Sequence, residues 1–143
     1  MGDLSFSLRA KSICLGPRKT SNGEDCEIVA MGFQEDTRGE IVIFTDPQRS
    51  RWWIQPVNLF SEDAIPAIPH GEHESIPLGR YVHYKGSVYE VLGTGTNVGS
   101  EETFVIYRAT NQSEPFHWAR EINNFQENVE TVEGKQPRFA FLG

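Results

Sequence analysis

The strongest constraint on this chain is that it spells one pattern twice. Ser12-Ile13 with Leu15-Gly16 returns as Ser75-Ile76 with Leu78-Gly79, and Gly23 returns as Gly86. Cys26-Glu27-Ile28-Val29 returns as Tyr89-Glu90-Val91-Leu92, and Ile41-Val42-Ile43-Phe44 returns as Phe104-Val105-Ile106-Tyr107, each 63 positions on. After a two-residue insertion, Trp53, Asn58 and Phe60 return as Trp118, Asn123 and Phe125, 65 positions on. Spacing held over so many short matches marks an internal duplication, and a repeat governs every later inference about fold. What both copies keep reads as architecture. What one copy has dropped reads as function.

The repeated segments read as strands. Leu4-Ser5-Phe6-Ser7-Leu8 alternates apolar and polar residues, the period of a half-buried strand. Asn22-Gly23 and its counterpart Lys85-Gly86 stand between strand-like runs, where a hairpin turn is expected. The runs Glu40–Phe44 and Thr103–Tyr107 are rich in β-branched and aromatic residues. Trp53 and Phe60, and Trp118 and Phe125, lie seven apart, which predicts a strand end followed by a short helical turn; Pro56 suits the first position of such a turn. The expected fold is mostly β: a tandem of two small SH3-like β-barrels with short helical turns. Its divisions are a degenerate N-terminal barrel at 1–62, a Pro/Gly-containing linker at 63–74 and a C-terminal barrel at 75–143. Copy two ends with strand-like Val129–Val132 and Arg138–Leu142, which copy one lacks before its linker. Leu4–Leu8 is the natural substitute, and would make copy one a permuted version of copy two. Units of about sixty residues bury only about 60% of their unfolded surface and are marginal alone, so the halves are expected to pack together.

Composition excludes several classes. The net charge is −7, shared by both halves, with no basic run of the kind that phosphate neutralisation requires, which argues against nucleic acid as a partner. No apolar run approaches the roughly 18 residues of a membrane span. Cys14 and Cys26 occupy non-equivalent places in copy one and have no counterparts in copy two, so both are expected as reduced, buried thiols of a cytoplasmic protein. His70 and His73 with Glu72 have metal-ligand spacing, but two ligands in a proline- and glycine-bearing linker do not make a site, and no metal or cofactor is expected. Gly93–Gly99 superficially suggests a phosphate loop; placed between two strands it lacks the helix N-terminus such loops use, and is read as a hairpin loop.

Copy two carries a longer pattern: Gly79, Tyr81, His83-Tyr84-Lys85-Gly86, Tyr89 and Val91, then Val105, Tyr107, Trp118-Ala119-Arg120, Phe125, Val129 and Gly134-Lys135 with Pro137-Arg138-Phe139. In this it resembles a bacterial family known as domain of unknown function 1653. The resemblance implies an SH3-like barrel and no activity, since the family is uncharacterised. Where the family pattern has proline after Trp-x-Arg, this chain has Glu121, while Pro56 of copy one keeps it. Copy one is a degenerate relative that replaces Tyr81, His83, Tyr84 and Lys85 by Arg18, Thr20, Ser21 and Asn22, and Arg120 by Gln55.

Tyr81, His83, Lys85 and Arg120 are therefore the candidate ligand- or partner-binding residues. Aromatic rings beside His and Lys stack planar groups, and the Arg fork takes a carboxylate or phosphate. For Trp118 a core role is favoured, since Trp53 repeats it; Arg120 is equally open to pairing with a nearby acid. Trp52 and Trp53, adjacent on a strand, point to opposite faces, which places one of them in the interface between the copies. No nucleophile, base and orienting group fall together, so no catalytic residues are assigned. The expected activity is that of a non-enzymatic binding or adaptor protein whose C-terminal barrel recognises a protein or a small anionic or planar ligand. The alternatives are an acidic inhibitor or decoy of the phage anti-defence type, acting on a basic host protein, and a small enzyme centred on His83.

Overall fold

The runs Ile41–Phe44 and Phe104–Tyr107 offer no polar face, and each forms a strand packed on both sides, with all eight side chains buried. The computed structural model describes residues 6–35, 37–70, 74–110 and 116–143, with only the backbone of Phe116. The N-terminal half runs α1 (Leu8–Ser12), β1 (Gly16–Lys19), β2 (Asp25–Gln34), β3 (Glu40–Thr45), β4 (Trp52–Pro56) and a 3-10 turn at Val57–Leu59. The C-terminal half runs β5 (Gly79–His83), β6 (Val88–Asn97), β7 (Thr103–Ala109), β8 (Phe116–Glu121), α2 (Ile122–Phe125), β9 (Asn128–Thr131), β10 (Gly134–Pro137) and β11 (Phe139–Phe141).

The chain is mostly β, but its strands do not divide into two separate sheets. Among the described residues, β1 to β8 and β11 share one nine-stranded sheet, and only the β9–β10 hairpin stands apart. Six of the nine close a ring. β2, β3 and β4 pair antiparallel in sequence, as do β6, β7 and β8; β4 then pairs with β6, and β8 with β2, both in parallel. The two parallel seams join one half to the other.

Pairing follows the same register in both halves. Ile28 faces Phe44 and Val91 faces Tyr107; a bulge follows in each ladder, between Ile28 and Ala30 and between Val91 and Gly93. At the seams, Gly32 faces His117 and Phe33 faces Trp118, while Gly95 faces Trp52 and Thr96 faces Trp53. Arg38 and Glu101, at equivalent turn positions, both have φ of 62°.

Burial forms three layers. Within the ring, Ile41, Ile43, Ile54, Phe104, Ile106 and Ala119 from both halves make a shared core. The alternate residues of the same strands face outward into a core of their own half, Val42, Phe44 and Trp53 in one and Val105 and Tyr107 in the other, which Phe60 and Phe125 join from the helical turns. A half lifted from its partner would expose the central layer.

Several expectations need correction. Of the expected strand Leu4–Leu8, Phe6 and Ser7 lie in no regular element and Leu8 opens helix α1, which Ser7 caps by accepting a hydrogen bond from Ala10 N at 3.2 Å; Ala10 enters the N-terminal core. Residues 4 and 5 lie outside the described residues. The place proposed for Leu4–Leu8 is taken by the segment read as linker: Ser21 N donates to Ile65 O at 2.8 Å, as the equivalent Tyr84 N donates to Arg138 O at 3.0 Å. Ile65 and Ile68 are buried in the N-terminal core. Cys26 is buried, but Cys14 is exposed. Gly93 to Asn97 continue strand β6 rather than forming a hairpin loop, since Gly93 and Gly95 lie against Trp52 across a seam. The helical turns fall where the Trp-to-Phe spacing placed them, and Glu121 does the work of the missing proline by accepting from Asn123 N and Asn124 N at 2.8 and 3.2 Å.

Candidate functional site

The antiparallel hairpin β5–β6 carries three of the four candidate residues, because alternation along Gly79–His83 puts Tyr81 and His83 on one face and the turn at Gly86 (φ 106°) exposes Lys85 beyond it. Tyr81 is core: it packs edge-on to Phe125 with centroids 5.4 Å apart, and its hydroxyl donates to Pro77 O at 2.7 Å. Phe125 stacks flat on Phe139 at 4.1 Å, with Tyr107 and Tyr89 around them. His83 is half-buried at the end of this aromatic cluster, 4.4 Å from Tyr84 and 5.0 Å from Phe139 between ring centroids. Its Nδ1 accepts from Lys85 N at 3.2 Å, which assigns the ring proton of the neutral imidazole to Nε2. Lys85 Nζ sits 5.7 Å from the Tyr84 ring centroid and has no carboxylate partner among the described residues.

Arg120 lies behind the cluster, not on the surface. It is 8% exposed, pairs with Glu35 Oε1 at 2.8 Å, donates to Tyr107 Oη at 3.4 Å and to Asn124 Oδ1, and holds its guanidinium 5.8 Å from the Phe139 ring. Glu35 belongs to the turn after β2, so this ion pair crosses between the halves. Its other oxygen, Oε2, is buried and has no hydrogen-bond partner among the described residues. The structure thus brings His83, Tyr84 and Lys85 together at a hairpin tip and assigns Tyr81 and Arg120 to its support. Sequence reasoning missed Glu35, which comes from the N-terminal half and whose counterpart in the C-terminal half is Val98; only strand pairing between the halves could have found it.

Burial holds the His83 imidazole below its ordinary pKa; the charge of Glu35 opposes this, and Arg120, Lys85 and Arg138 reinforce it. Burial likewise pushes the Tyr89 hydroxyl up, helped by Glu35. The folded chain accordingly protonates His83 less readily than the unfolded chain does. The stability His83 contributes is complete above the ordinary histidine value of about 6.5 and is lost as pH falls through the lowered folded value. Thermal melts at pH about 7.5 and about 5.5 should show a larger drop for the wild type than for His83→Gln; equal drops would remove His83 from the pH response.

The N-terminal hairpin satisfies itself. Thr20 is buried, its hydroxyl bonded to Asn22 Oδ1 and accepting from Glu24 N at 3.1 Å. His70 covers the turn through Glu24 at 3.0 Å.

A family described as Protein of unknown function (DUF1653) matches residues 79–141, from the start of β5 to the end of β11. A crystal structure of a protein of that family from Bordetella bronchiseptica is similar over 48% of this chain and 88% of its own, at 34% identity and a TM-score of 0.44. No curated protein matches the sequence.

Proposed function

We propose that this chain, which belongs to the DUF1653 family of proteins of unknown function, is a non-enzymatic binding or adaptor protein that recognises its partner through the C-terminal hairpin tip. The observation that carries this reading is the contrast between the two tips. One closes its polar groups on itself, while the other exposes the Lys85 ammonium beside Tyr84 and a half-buried His83. A cation on an aromatic face next to an imidazole suits a carboxylate or phosphate on the partner. The identical registers and matching bulges of the two halves support their origin as duplicated SH3-like units, with the C-terminal one keeping the recognition surface.

Residues at such a surface are dispensable for folding. Tyr84→Ala and Lys85→Ala should leave the thermal midpoint within a few degrees of wild type. Partners captured by the wild-type protein from its native cytoplasm should bind the variants about tenfold more weakly, as the loss of a hot-spot contact does. Identical capture by wild type and both variants would refute the assignment.

A further inference from the structure

The seam between β4 and β6 borders a cleft of about 740 Å³ that none of the hairpin-tip residues lines. Pockets for small molecules span roughly 300–1,000 Å³. We propose that this cleft binds a small planar anion, an aromatic or heterocyclic ring carrying a phosphate or carboxylate, with the ring on Trp52 and the oxyanion on Arg51.

Trp52 is half-buried, and its pyrrole edge is seated on Gly93, where a Cβ would lie 2.6 Å from Nε1 and 2.7 Å from Cδ1. The absent side chain gives the indole a floor on one side while it lines the cleft on the other. At the equivalent place in the second seam, His117 stands for Trp52 and Ala30 for Gly93. Only the seam with the glycine has room for the larger ring, so one of two related seams is fitted with a stacking surface.

The cation is fitted as well. The turn before β4 is fixed by Asp46, whose carboxylate accepts from Ser50 N at 2.7 Å and Arg51 N at 2.9 Å, and Arg49 within it takes the left-handed backbone at φ 57°. At the rim, Arg49 faces Glu27 at 3.7 Å and His70 faces Glu24 at 3.0 Å, so both have acidic partners. Arg51 does not: its guanidinium is half-buried, donates through Nη1 to Pro69 O at 3.2 Å, and has no carboxylate partner among the described residues. A half-buried guanidinium with donors to spare, lining the same cleft as an indole, matches a planar oxyanion in charge and in shape. The net charge of −7 opposes a long polyanion but hardly a small one.

Titration calorimetry with adenosine 5′-monophosphate, phenyl phosphate, benzoate and inorganic phosphate tests this: the first three each carry a ring, two of them with a phosphate and one with a carboxylate, and the last has no ring. Ring-bearing anions should bind, and inorganic phosphate should bind far more weakly. Arg51→Gln should weaken binding about tenfold or more, as expected for a charged hydrogen bond. In amide and indole NMR spectra, the bound probe should move the indole signal that Trp52→Phe removes, together with the amides of Gly93 and Thr94. Four outcomes would overturn the proposal: no binding of any ring-bearing probe at millimolar concentration to the folded protein, undiminished affinity in Arg51→Gln, shifts centred on the Ser87 turn instead, or much tighter binding of an oligonucleotide than of the mononucleotide. The first three leave the hairpin-tip reading intact, since that rests on Tyr84 and Lys85.

Discussion

Gly32→Ala is expected to destabilise the protein by about 3 kcal/mol or more, the upper range for overpacking a core, and Gly95→Ala by somewhat less. The cause is the parallel seams. A Cβ at Gly32 would lie 2.2 Å from His117 O and 2.9 Å from its carbonyl carbon; at Gly95 it would lie 2.6 Å from Trp52 O and 2.8 Å from the carbonyl carbon. In each case the obstacle is backbone, which cannot swing aside as a long side chain does. The seam must part, and parting it opens the central core that both halves fill. Gly99→Ala is the matched control: its Cβ would meet only Asn97 Oδ1 at 3.6 Å, and the change should fall within about 0.5 kcal/mol of neutral. Urea denaturation of the three variants decides the matter. If Gly32→Ala and Gly99→Ala unfolded at the same midpoint, the seam would not have the close approach described here.

The same two glycines show where the sequence stopped being legible. Strand identity could be read from local pattern: Ile41–Phe44 and Phe104–Tyr107 are apolar and β-branched, Asn22-Gly23 marks a turn, and the Trp-to-Phe spacing locates both short helical turns. The recurring pattern could be read too, and the two halves pair their strands in matching register at the positions it relates. How the copies join could not, because the parallel seams pair residues far apart in the chain. A glycine in a loop and a glycine against a neighbouring backbone look alike in sequence, so the run Gly93–Gly99 reads as a loop, whereas Gly93 to Asn97 continue β6 and only the residues after Asn97 turn. Ile65 and Ile68 were hidden among prolines that suggested a linker, yet two apolar residues three apart were enough to close the N-terminal core. At the candidate site, Tyr81, His83 and Lys85 are neighbours in the chain, so local pattern alone brings them together. Their support from Glu35 crosses between copies and left no local trace.

Arg120 is the residue on which the two kinds of role separate most sharply, and removing it should cost the most of any change near the site. With the Arg120 side chain 10% exposed and that of Glu35 23% exposed, the pair is largely shielded from water. Truncating one member of such a pair strands the other charge, at a typical cost of about 3–5 kcal/mol. Arg120→Ala should lie at or above the top of that range in urea denaturation, since it also removes the bonds to Tyr107 and Asn124. Glu35→Ala should cost less, because the guanidinium keeps those two partners. The N-terminal half already contains the experiment that apportions the effect. At the equivalent corner Gln55 stands for Arg120 and Val98 for Glu35, and that corner closes with no ion pair among the described residues: Gln55 Nε2 donates to Leu59 O at 3.4 Å, in the position where Arg120 reaches Asn124. Importing that pair as Glu35→Val with Arg120→Gln should therefore recover much of the stability lost in Arg120→Gln alone, a coupling of about 1–3 kcal/mol in a double-mutant cycle. Additive losses would mean that the charges do not act on each other. The recovered double variant then separates structure from recognition. If it folds like the wild type and still binds through Tyr84 and Lys85, Arg120 serves the junction between the halves. If it folds but no longer binds, the guanidinium reaches the partner through the hairpin tip it supports.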